Sequence, residues 1–239
     1  MPKQPGSSVQ ALRIGPLSGG APSHLVVLLH GLTATAGQFG SVMDGLRDAL
    51  PHAAFHLPNG SEPFEGGPGR QWFSMTSTLV ARREGLLRAG TNLNTVIDKE
   101  LDRLGLAGGC CALVGFNQGG IMAMHAGLRR DVAPALLASY AGEFLLPDLL
   151  PDEIRNRAPA LLVHSRDDGH VPLGRSRDAR RVLRGCAVPV TTFYPRKGGH
   201  ALSEAGMTVV GAELVSVFSG ARASLLSRWF RNARVSLGH

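Results

Sequence analysis

The chain has few cysteines, few aromatic residues and no long apolar run. Its three cysteines, Cys110, Cys111 and Cys186, match neither a disulfide framework nor a CxxC zinc pattern, which favours small core residues in a reducing compartment. The longest apolar stretch near the start, Leu25 to Leu29, is too short to cross a bilayer and follows no basic region typical of a signal peptide. We therefore expect a folded cytoplasmic protein without a transmembrane segment.

Acidic residues are outnumbered, with 18 Asp and Glu against 25 Lys and Arg, a net charge of +7. Part of the excess lies in residues 221–239, at Arg222, Arg228, Arg231 and Arg234. The apolar residues of this tail fall on one helical face, formed by Leu225, Leu226, Trp229, Phe230 and Ala233. Such a face packs on the body, pairs with a second copy as a homodimer, or touches an anionic surface. Packing on the body of the protein is the simplest of these three roles. We expect no nucleic-acid partner.

Short β-rich apolar segments alternate with segments of helical periodicity, which predicts an α/β protein with a mostly parallel sheet covered by helices on both faces. The predicted strands are Leu25–Leu29, Ala53–Leu57, Cys111–Gly115, Ala135–Tyr140, Ala160–His164 and Val190–Tyr194. The predicted helices are Gln38–Leu50, Thr91–Leu104, Gly120–Arg130, Leu173–Leu183 and Ser203–Phe218. Because no low-complexity linker divides the chain, residues 1–220 are predicted to form one domain.

One segment, Gly60–Gly90, lacks clear periodicity and begins with a run rich in glycine and proline. A loop of this length after a strand is typical of a lid or a binding surface at the carboxyl edge of an α/β sheet. Trp72 and Phe73 within it favour burial, which argues against a disordered insertion. We predict that these two aromatic residues bind substrate.

A sharp strand-to-helix turn is predicted at Gly115-Phe116-Asn117-Gln118-Gly119. Small residues two before and two after a nucleophile form the G-x-S-x-G elbow, in which a serine occupies a strained backbone position. Asn117 stands at the position of that serine. The elbow is therefore present without its hydroxyl group.

Two further parts of an acyl-transfer site follow in the order elbow, acid, histidine. Asp168 lies just past the strand that ends at His164, and His200 follows the last predicted strand and opens a helix. We predict that His200 is the catalytic base and that Asp168 orients it. A loop histidine alone is more often structural, so the prediction depends on the joint match.

Two backbone N–H groups are predicted to form the oxyanion hole. Gln118 follows the elbow position at the start of a helix, where N–H groups face developing negative charge. Leu32 follows His30-Gly31 at the end of the most apolar strand, so its N–H is the second candidate. We expect His30 to shape this turn, because His200 already supplies the base.

These motifs together resemble the phospholipase/carboxylesterase branch of the α/β-hydrolases, which includes the acyl-protein thioesterases and small bacterial carboxylesterases. The resemblance covers about Leu25 to Phe218. It rests on Leu28 to Leu32, Gly69 to Phe73, Gly115 to Gly120, His164 through Asp168 to Pro172, and Gly199-His200. It implies an α/β-hydrolase fold and a cofactor-free hydrolase of small-molecule carboxylic esters or thioesters with medium or long acyl groups. The residues themselves predict no metal site, because the nine histidines are scattered and His164 with His170 has no third ligand at a recognisable spacing.

Asn117 departs from this family pattern. Its amide cannot be deprotonated by a histidine and is a poor nucleophile, so no acyl-enzyme is expected. Loss of the serine in such a triad costs about 10⁶ in kcat, or about 8 kcal/mol. The sequence offers no other G-x-S-x-G, and Cys110 and Cys111 are assigned to the core of the preceding strand.

Three hypotheses remain. The first is an esterase site whose nucleophile is replaced, so that the chain is inactive or strongly impaired. The second is a non-catalytic protein that holds an acyl ligand, with Asn117 donating a hydrogen bond to a carbonyl group. The third is deamidation of Asn117 to an aspartate that attacks an alkyl carbon, as in dehalogenases. The bulk of Gln118 and the absence of recognisable halide-binding residues disfavour it.

Overall fold

The computed structural model describes residues 11–220 and is organised around a sheet of seven strands. The strands in chain order are β1 (Leu12–Ile14), β2 (His24–Leu29), β3 (Ala53–Leu57), β4 (Glu62–Pro63), β5 (Arg70–Gln71), β6 (Cys111–Phe116), β7 (Leu136–Tyr140), β8 (Ala160–Val163) and β9 (Val190–Phe193). The sheet order is β1-β3-β2-β6-β7-β8-β9, with β4 and β5 paired as a separate hairpin. Only β1 runs antiparallel to its neighbour within the seven-stranded sheet of the described residues.

Helices cover both faces of this sheet. They are α1 (Met43–Ala49), α2 (Leu79–Leu104), α3 (Gln118–Gly127), α4 (Leu150–Glu153), α5 (Leu173–Gly185) and α6 (Glu204–Phe218). Along β2, Leu25, Val27 and Leu29 pack with α2 and α3, whereas Val26 and Leu28 pack with α1 and α6. Burial on both faces explains why the central strands are continuous apolar runs rather than alternating ones.

All six predicted strands are present, and the predicted helices are found with shifted ends. The largest correction concerns Gly60–Gly90, because α2 begins at Leu79, well before the predicted Thr91. The side chain of Thr78 accepts a hydrogen bond from the N–H of Ala81 and so caps the helix. Charged residues and a glycine in its first turns interrupt the apolar periodicity, so the sequence does not show that the buried face of α2 begins before Thr91. Residues 60–78 retain the irregular character that the sequence predicts, apart from the short hairpin of β4 and β5.

The cysteine prediction is right for one residue. Cys111 is fully buried on β6, and burial raises the pKa of its thiol to about 11. Cys110 lies in a 3-10 turn before that strand and is half-buried, as is Cys186 at the end of α5. All three thiols are free.

Two predictions bear on the chain's surroundings. Within residues 11–220, no helix combines the length and the apolar character needed to cross a bilayer. The basic tail, residues 221–239, lies outside the described residues. Its three suggested roles therefore stay predictions.

Candidate active site

The backbone turns sharply at Asn117, which lies between β6 and α3 with φ of 52° and ψ of −116°. Two glycines permit the turn because other backbone approaches them closely. A Cβ on Gly115 would lie 2.0 Å from the carbonyl oxygen of Gly119, and one on Gly119 would lie 2.0 Å from that of Leu29. The N–H of Asn117 donates to the carbonyl of Tyr140 at 2.8 Å, which ties the turn to the end of β7. The predicted elbow is present in full.

The structure brings Asn117, His200 and Asp168 into one chain of hydrogen bonds. Nδ2 of Asn117 lies 3.1 Å from Nε2 of His200, and Nδ1 of His200 lies 2.8 Å from Oδ2 of Asp168. The three residues follow β6, β9 and β8, so the carboxyl edge of the parallel sheet gathers them from distant parts of the chain. Phe116 packs against the His200 ring, with centroids 5.0 Å apart.

The proton positions in this chain of hydrogen bonds follow from its partners. The backbone N–H of Leu32 can only donate, and it lies 3.3 Å from the side-chain amide of Asn117, which fixes Oδ1 there. Nδ2 of Asn117 therefore donates to Nε2 of His200. Nε2 of His200 then accepts, and the proton on Nδ1 donates to Asp168. This is the tautomer that a general base requires.

Asp168 is held as a carboxylate. Its side chain is inaccessible to solvent, and burial alone would raise its pKa. Hydrogen bonds from His200 and from the backbone N–H groups of Val171 and His170 outweigh that effect and lower the pKa below its usual value. The negative charge needed to orient and stabilise the His200 ring is therefore present at neutral pH.

The two predicted oxyanion donors flank Asn117. The N–H of Leu32 donates to the Asn117 amide oxygen. Gln118 is the first residue of α3, so no carbonyl within the helix can accept from its N–H. One donor of the pair is thus already occupied by the side chain that stands where the nucleophile is expected.

His30 is buried and shapes the turn before Leu32. Its Nε2 accepts from the N–H of Gly60 at 2.8 Å, and its Nδ1 lies 2.7 Å from the carbonyl of Gly31. Burial lowers the pKa of His30 despite the opposing effect of the Gly31 carbonyl, so the ring is neutral and carries its proton on Nδ1. Since both ring nitrogens are engaged with backbone groups, this geometry supports a structural role.

The side chain of Gln118 joins the elbow to the segment that carries the two aromatic residues. Its Oε1 accepts from the N–H of Trp72 at 2.8 Å, and its Nε2 donates to the carbonyl of Phe73 at 2.7 Å. Trp72 also donates through its indole N–H to the carbonyl of His30 at 2.9 Å. Trp72 and Phe73 are buried, at 4% and 0% exposed. They support the oxyanion loop, and their contact with substrate stays a prediction.

Asp167 supports the candidate site, and the sequence did not single it out. Its Oδ1 accepts from the hydroxyl of Ser165 and, at 2.8 Å, from the N–H of Gly199, so it anchors the loop that carries His200. His164 also supports the site, although the sequence marks it only as the end of a strand. Its Nε2 donates to the carbonyl of Val171 at 2.7 Å and holds the Asp168 loop closed. The adjacent pair Asp167-Asp168 after a strand is the signal in the sequence that could have revealed this arrangement.

No side chains converge as metal ligands within residues 11–220, where no group of three or more His, Cys, Asp or Glu could hold an ion. The polar groups around Asn117 are hydrogen-bonded to one another instead. What the site offers chemically is therefore an oriented imidazole, a buried carboxylate and backbone donors, which are the parts of acyl-transfer chemistry.

Comparison with known proteins agrees with this geometry. Residues 18–215 match the family described as Phospholipase/Carboxylesterase. The chain belongs to the phospholipase/carboxylesterase family. It is 24% identical over 185 residues to Esterase YpfH of Escherichia coli (strain K12), covering 77% of this chain and 78% of that protein. It is 30% identical over 157 residues to acyl-protein thioesterase 1 of Schizosaccharomyces pombe (strain 972 / ATCC 24843), covering 62% and 69%.

Solved structures with the same fold are found as well. The crystal structure of esterase PE8 aligns with a TM-score of 0.81 and 28% identity, covering 87% of this chain and 98% of that one. SOBER1 of Arabidopsis thaliana aligns with a TM-score of 0.72 at 18% identity, covering 82% and 99%, which shows the fold alone. The predicted α/β-hydrolase fold is confirmed. The family and fold are those of carboxylesterase- and thioesterase-type hydrolases.

Proposed function

We propose that this chain carries a carboxylic ester or thioester hydrolase site whose nucleophile position is filled by Asn117, so that the chain as it stands is inactive or strongly impaired. The observation that carries the proposal is the continuous hydrogen-bonded chain from Leu32 N–H through the Asn117 side chain and His200 to Asp168. This supports the proposal, because the groups that would serve a serine surround a side chain that cannot replace one.

Two separate obstacles prevent turnover. The amide nitrogen of Asn117 is not a usable nucleophile, since its lone pair is delocalised and His200 cannot activate it. In addition, Oδ1 of Asn117 occupies the Leu32 N–H, which a substrate carbonyl needs when negative charge develops on its oxygen. A substrate carbonyl would have to displace the protein's own amide before it could be polarised.

With a serine at this position the same groups would support the two-step mechanism. His200 would take the hydroxyl proton as the oxygen attacks the acyl carbon, and Asp168 would stabilise the imidazolium. The N–H groups of Leu32 and Gln118 would hold the oxyanion. His200 would then return the proton to the leaving alcohol or thiol and activate water for the second step. Small-molecule ester, thioester or phospholipid substrates fit this chemistry.

The test is Asn117→Ser, assayed for hydrolysis of p-nitrophenyl butyrate beside the parent chain, with both confirmed as folded by circular dichroism. Restoring a serine is expected to raise kcat by up to about 10⁶. Asn117→Ala is the matched control, because it removes the amide without adding a nucleophile. Asn117→Ser combined with His200→Gln should lose the gain. A folded serine variant no faster than Asn117→Ala would refute the proposal.

The alternative, a protein that only binds acyl ligands, needs Asn117 to donate to a ligand carbonyl. Its Nδ2 already donates to His200 and its Oδ1 already accepts from Leu32, so a ligand would have to break these bonds. Calorimetric titration with acyl ligands separates the two proposals. Saturable binding to the parent chain, together with an inactive serine variant, would favour the binding protein.

The proposal extends to the organisation of the chain. We propose one hydrolase domain over residues 1–220, supported by the family match over residues 18–215, and a basic tail over residues 221–239. The three free thiols support a reducing, cytoplasmic location. Gel filtration of a chain that ends at Gly220 tests the tail, because a shift toward monomer would show that it mediates pairing.

A further inference from the structure

We propose that Asn117 is a site of self-modification, at which the backbone nitrogen of Gln118 attacks the Asn117 side chain and converts it to aspartate through a cyclic imide. The proposal concerns the chemistry of the elbow itself. It does not depend on whether a serine at position 117 hydrolyses esters.

The backbone conformation at the elbow supplies the first argument. Around the Cα–C bond of an L residue, Cβ lies a third of a turn to the negative side of the backbone nitrogen. The ψ of −116° at Asn117 therefore places the nitrogen of Gln118 almost in line with Cβ of Asn117. Helices, with ψ near about −42°, and strands, with ψ near about +135°, hold this nitrogen far from that line. The elbow thus imposes the conformation that closing the five-membered imide ring requires.

The polar groups around the side chain supply the second argument. Negative charge develops on Oδ1 when Cγ is attacked, and Oδ1 lies 3.3 Å from the N–H of Leu32. The group that must leave is Nδ2, and it lies 3.1 Å from Nε2 of His200. An oxyanion donor and an acid–base group therefore face the same two atoms that change charge during deamidation. The Asn117 amide is placed in its own site as a substrate would be.

The start of α3 supplies the third argument. An imide nitrogen carries no hydrogen, so ring closure removes the N–H of Gln118. This N–H is at the first position of the helix, where no helical carbonyl can accept it, and proline is tolerated at that position for the same reason. The fold therefore loses no helical hydrogen bond. In flexible peptides a bulky following residue slows the reaction by disfavouring the reactive backbone conformation, but here the fold already imposes that conformation.

The reaction balances with water as the only co-reactant. A bond forms between the Gln118 nitrogen and Cγ of Asn117, and the proton that this nitrogen loses passes through solvent water to Nε2 of His200. His200 then protonates Nδ2, the bond between Cγ and Nδ2 breaks, and ammonia leaves. A second water molecule opens the imide ring, which gives aspartate or isoaspartate. The net change is replacement of the side-chain NH₂ by OH.

Asn59 provides an internal control. It precedes Gly60, so sequence alone predicts that Asn59 deamidates faster than Asn117. In the folded protein, however, the N–H of Gly60 donates to His30 at 2.8 Å, and Oδ1 of Asn59 accepts from the N–H of Ala36 at 2.8 Å. The nitrogen that must attack is engaged at Asn59, whereas at Asn117 it has no helical partner. Folding should therefore reverse the order that the sequence predicts.

The test incubates the full chain at neutral pH in ¹⁸O-labelled water and then digests it with trypsin in ordinary water. The tryptic peptides spanning 104–129 and 48–70 each contain one asparagine, Asn117 and Asn59. Mass spectrometry is expected to show that, in the folded chain, the ratio of deamidation at Asn117 to that at Asn59 exceeds one. In urea the ratio should fall below one. The variant His200→Gln should react more slowly at Asn117 and unchanged at Asn59.

Three outcomes would overturn the proposal or its parts. If the purified chain still carries asparagine at position 117, the absence of label there in the folded chain, or a slower rate there than at Asn59, would overturn it. A ratio unchanged by urea would show that the fold plays no part. An unaltered rate at Asn117 in a folded His200→Gln variant would remove the role assigned to His200. A peptide that already contains aspartate at position 117 when the protein is purified supports the proposal.

Discussion

The backbone N–H of Leu32 donates to the side-chain amide oxygen of Asn117 across 3.3 Å. The two residues lie 85 positions apart, and the contact engages one donor of the proposed oxyanion hole with a group from the protein itself. In a hydrolase with a serine at the elbow this donor would remain available to substrate. Under the proposed function, Asn117 would therefore affect both the nucleophile and the stabilisation of the transition state.

The first prediction concerns ligand affinity. Asn117→Ala frees the Leu32 N–H, so a small carboxylate such as butyrate is expected to bind more tightly than it binds the parent chain. A typical net hydrogen bond of about 0.5–1.5 kcal/mol corresponds to an increase of up to about tenfold in affinity. Isothermal titration calorimetry measures it. Equal affinity in the two proteins would show that the Asn117 amide does not compete for this donor.

The second prediction concerns acid stability and Asp168. Its pKa is lowered in the folded chain, so its contribution to the free energy of unfolding is present above the usual carboxyl pKa of about 3.9 and is lost as the pH falls through the folded value. The stability difference between the parent chain and Asp168→Asn should therefore shrink as the pH is lowered through this window. Urea unfolding at a series of pH values measures it. A difference that is constant with pH would contradict the role assigned to this carboxylate.

Much of the site could be predicted because chain order and short motifs constrain it. The strand-turn-helix context of Asn117, and the positions of Asp168 and His200 after later strands, follow from patterns that are local in sequence. The contact between Leu32 and Asn117, in contrast, joins the side-chain amide at the elbow position to a loop 85 residues earlier in the chain. Local sequence patterns carry no information about whether these two groups come within hydrogen-bonding distance.

Other parts were missed because local signals conflicted with packing. The first turns of α2 carry Arg82, Arg83 and Glu84, and they expose Leu79 and Val80. These residues interrupt the apolar periodicity by which a helix is recognised in the sequence. The first turns are helical because the later turns of α2 pack on the sheet and stabilise the whole helix. A side chain that hydrogen-bonds to backbone, as Gln118 does, leaves no periodic trace in the sequence either.

The third prediction concerns the close approach of α2 and α3. A Cβ on Gly90 would lie 2.7 Å from Cδ2 of the buried His125 ring, so Gly90→Ala is expected to destabilise the fold by about 1–3 kcal/mol through overpacking. A Cβ on Gly45, in α1, would meet nothing within 4 Å, and this glycine is exposed. Gly45→Ala should stabilise by about 0.5–1 kcal/mol from helix propensity alone. Chemical denaturation compares the pair, and equal signs would refute the packing argument.

The fourth prediction concerns Gln118, whose buried side chain accepts from the N–H of Trp72 and donates to the carbonyl of Phe73. Gln118→Met keeps the volume but leaves both backbone groups unpaired, at a cost of about 1–3 kcal/mol each. Gln118→Glu keeps the acceptor for Trp72, but as a carboxylate it repels the carbonyl of Phe73.

The glutamate variant also predicts a distinctive pH dependence. Burial and the facing carbonyl should raise the pKa of the new carboxyl group, and its protonated form can donate to Phe73 as glutamine does. A group with a raised folded pKa contributes stability at low pH and loses it as the pH rises through that value. All three proteins lose the contribution of Asp168 on acidification. Relative to the methionine variant, Gln118→Glu should therefore gain stability as the pH is lowered. Denaturation of both variants across pH measures this, and a glutamate variant that follows the methionine variant at every pH would show that the bond to Phe73 contributes nothing.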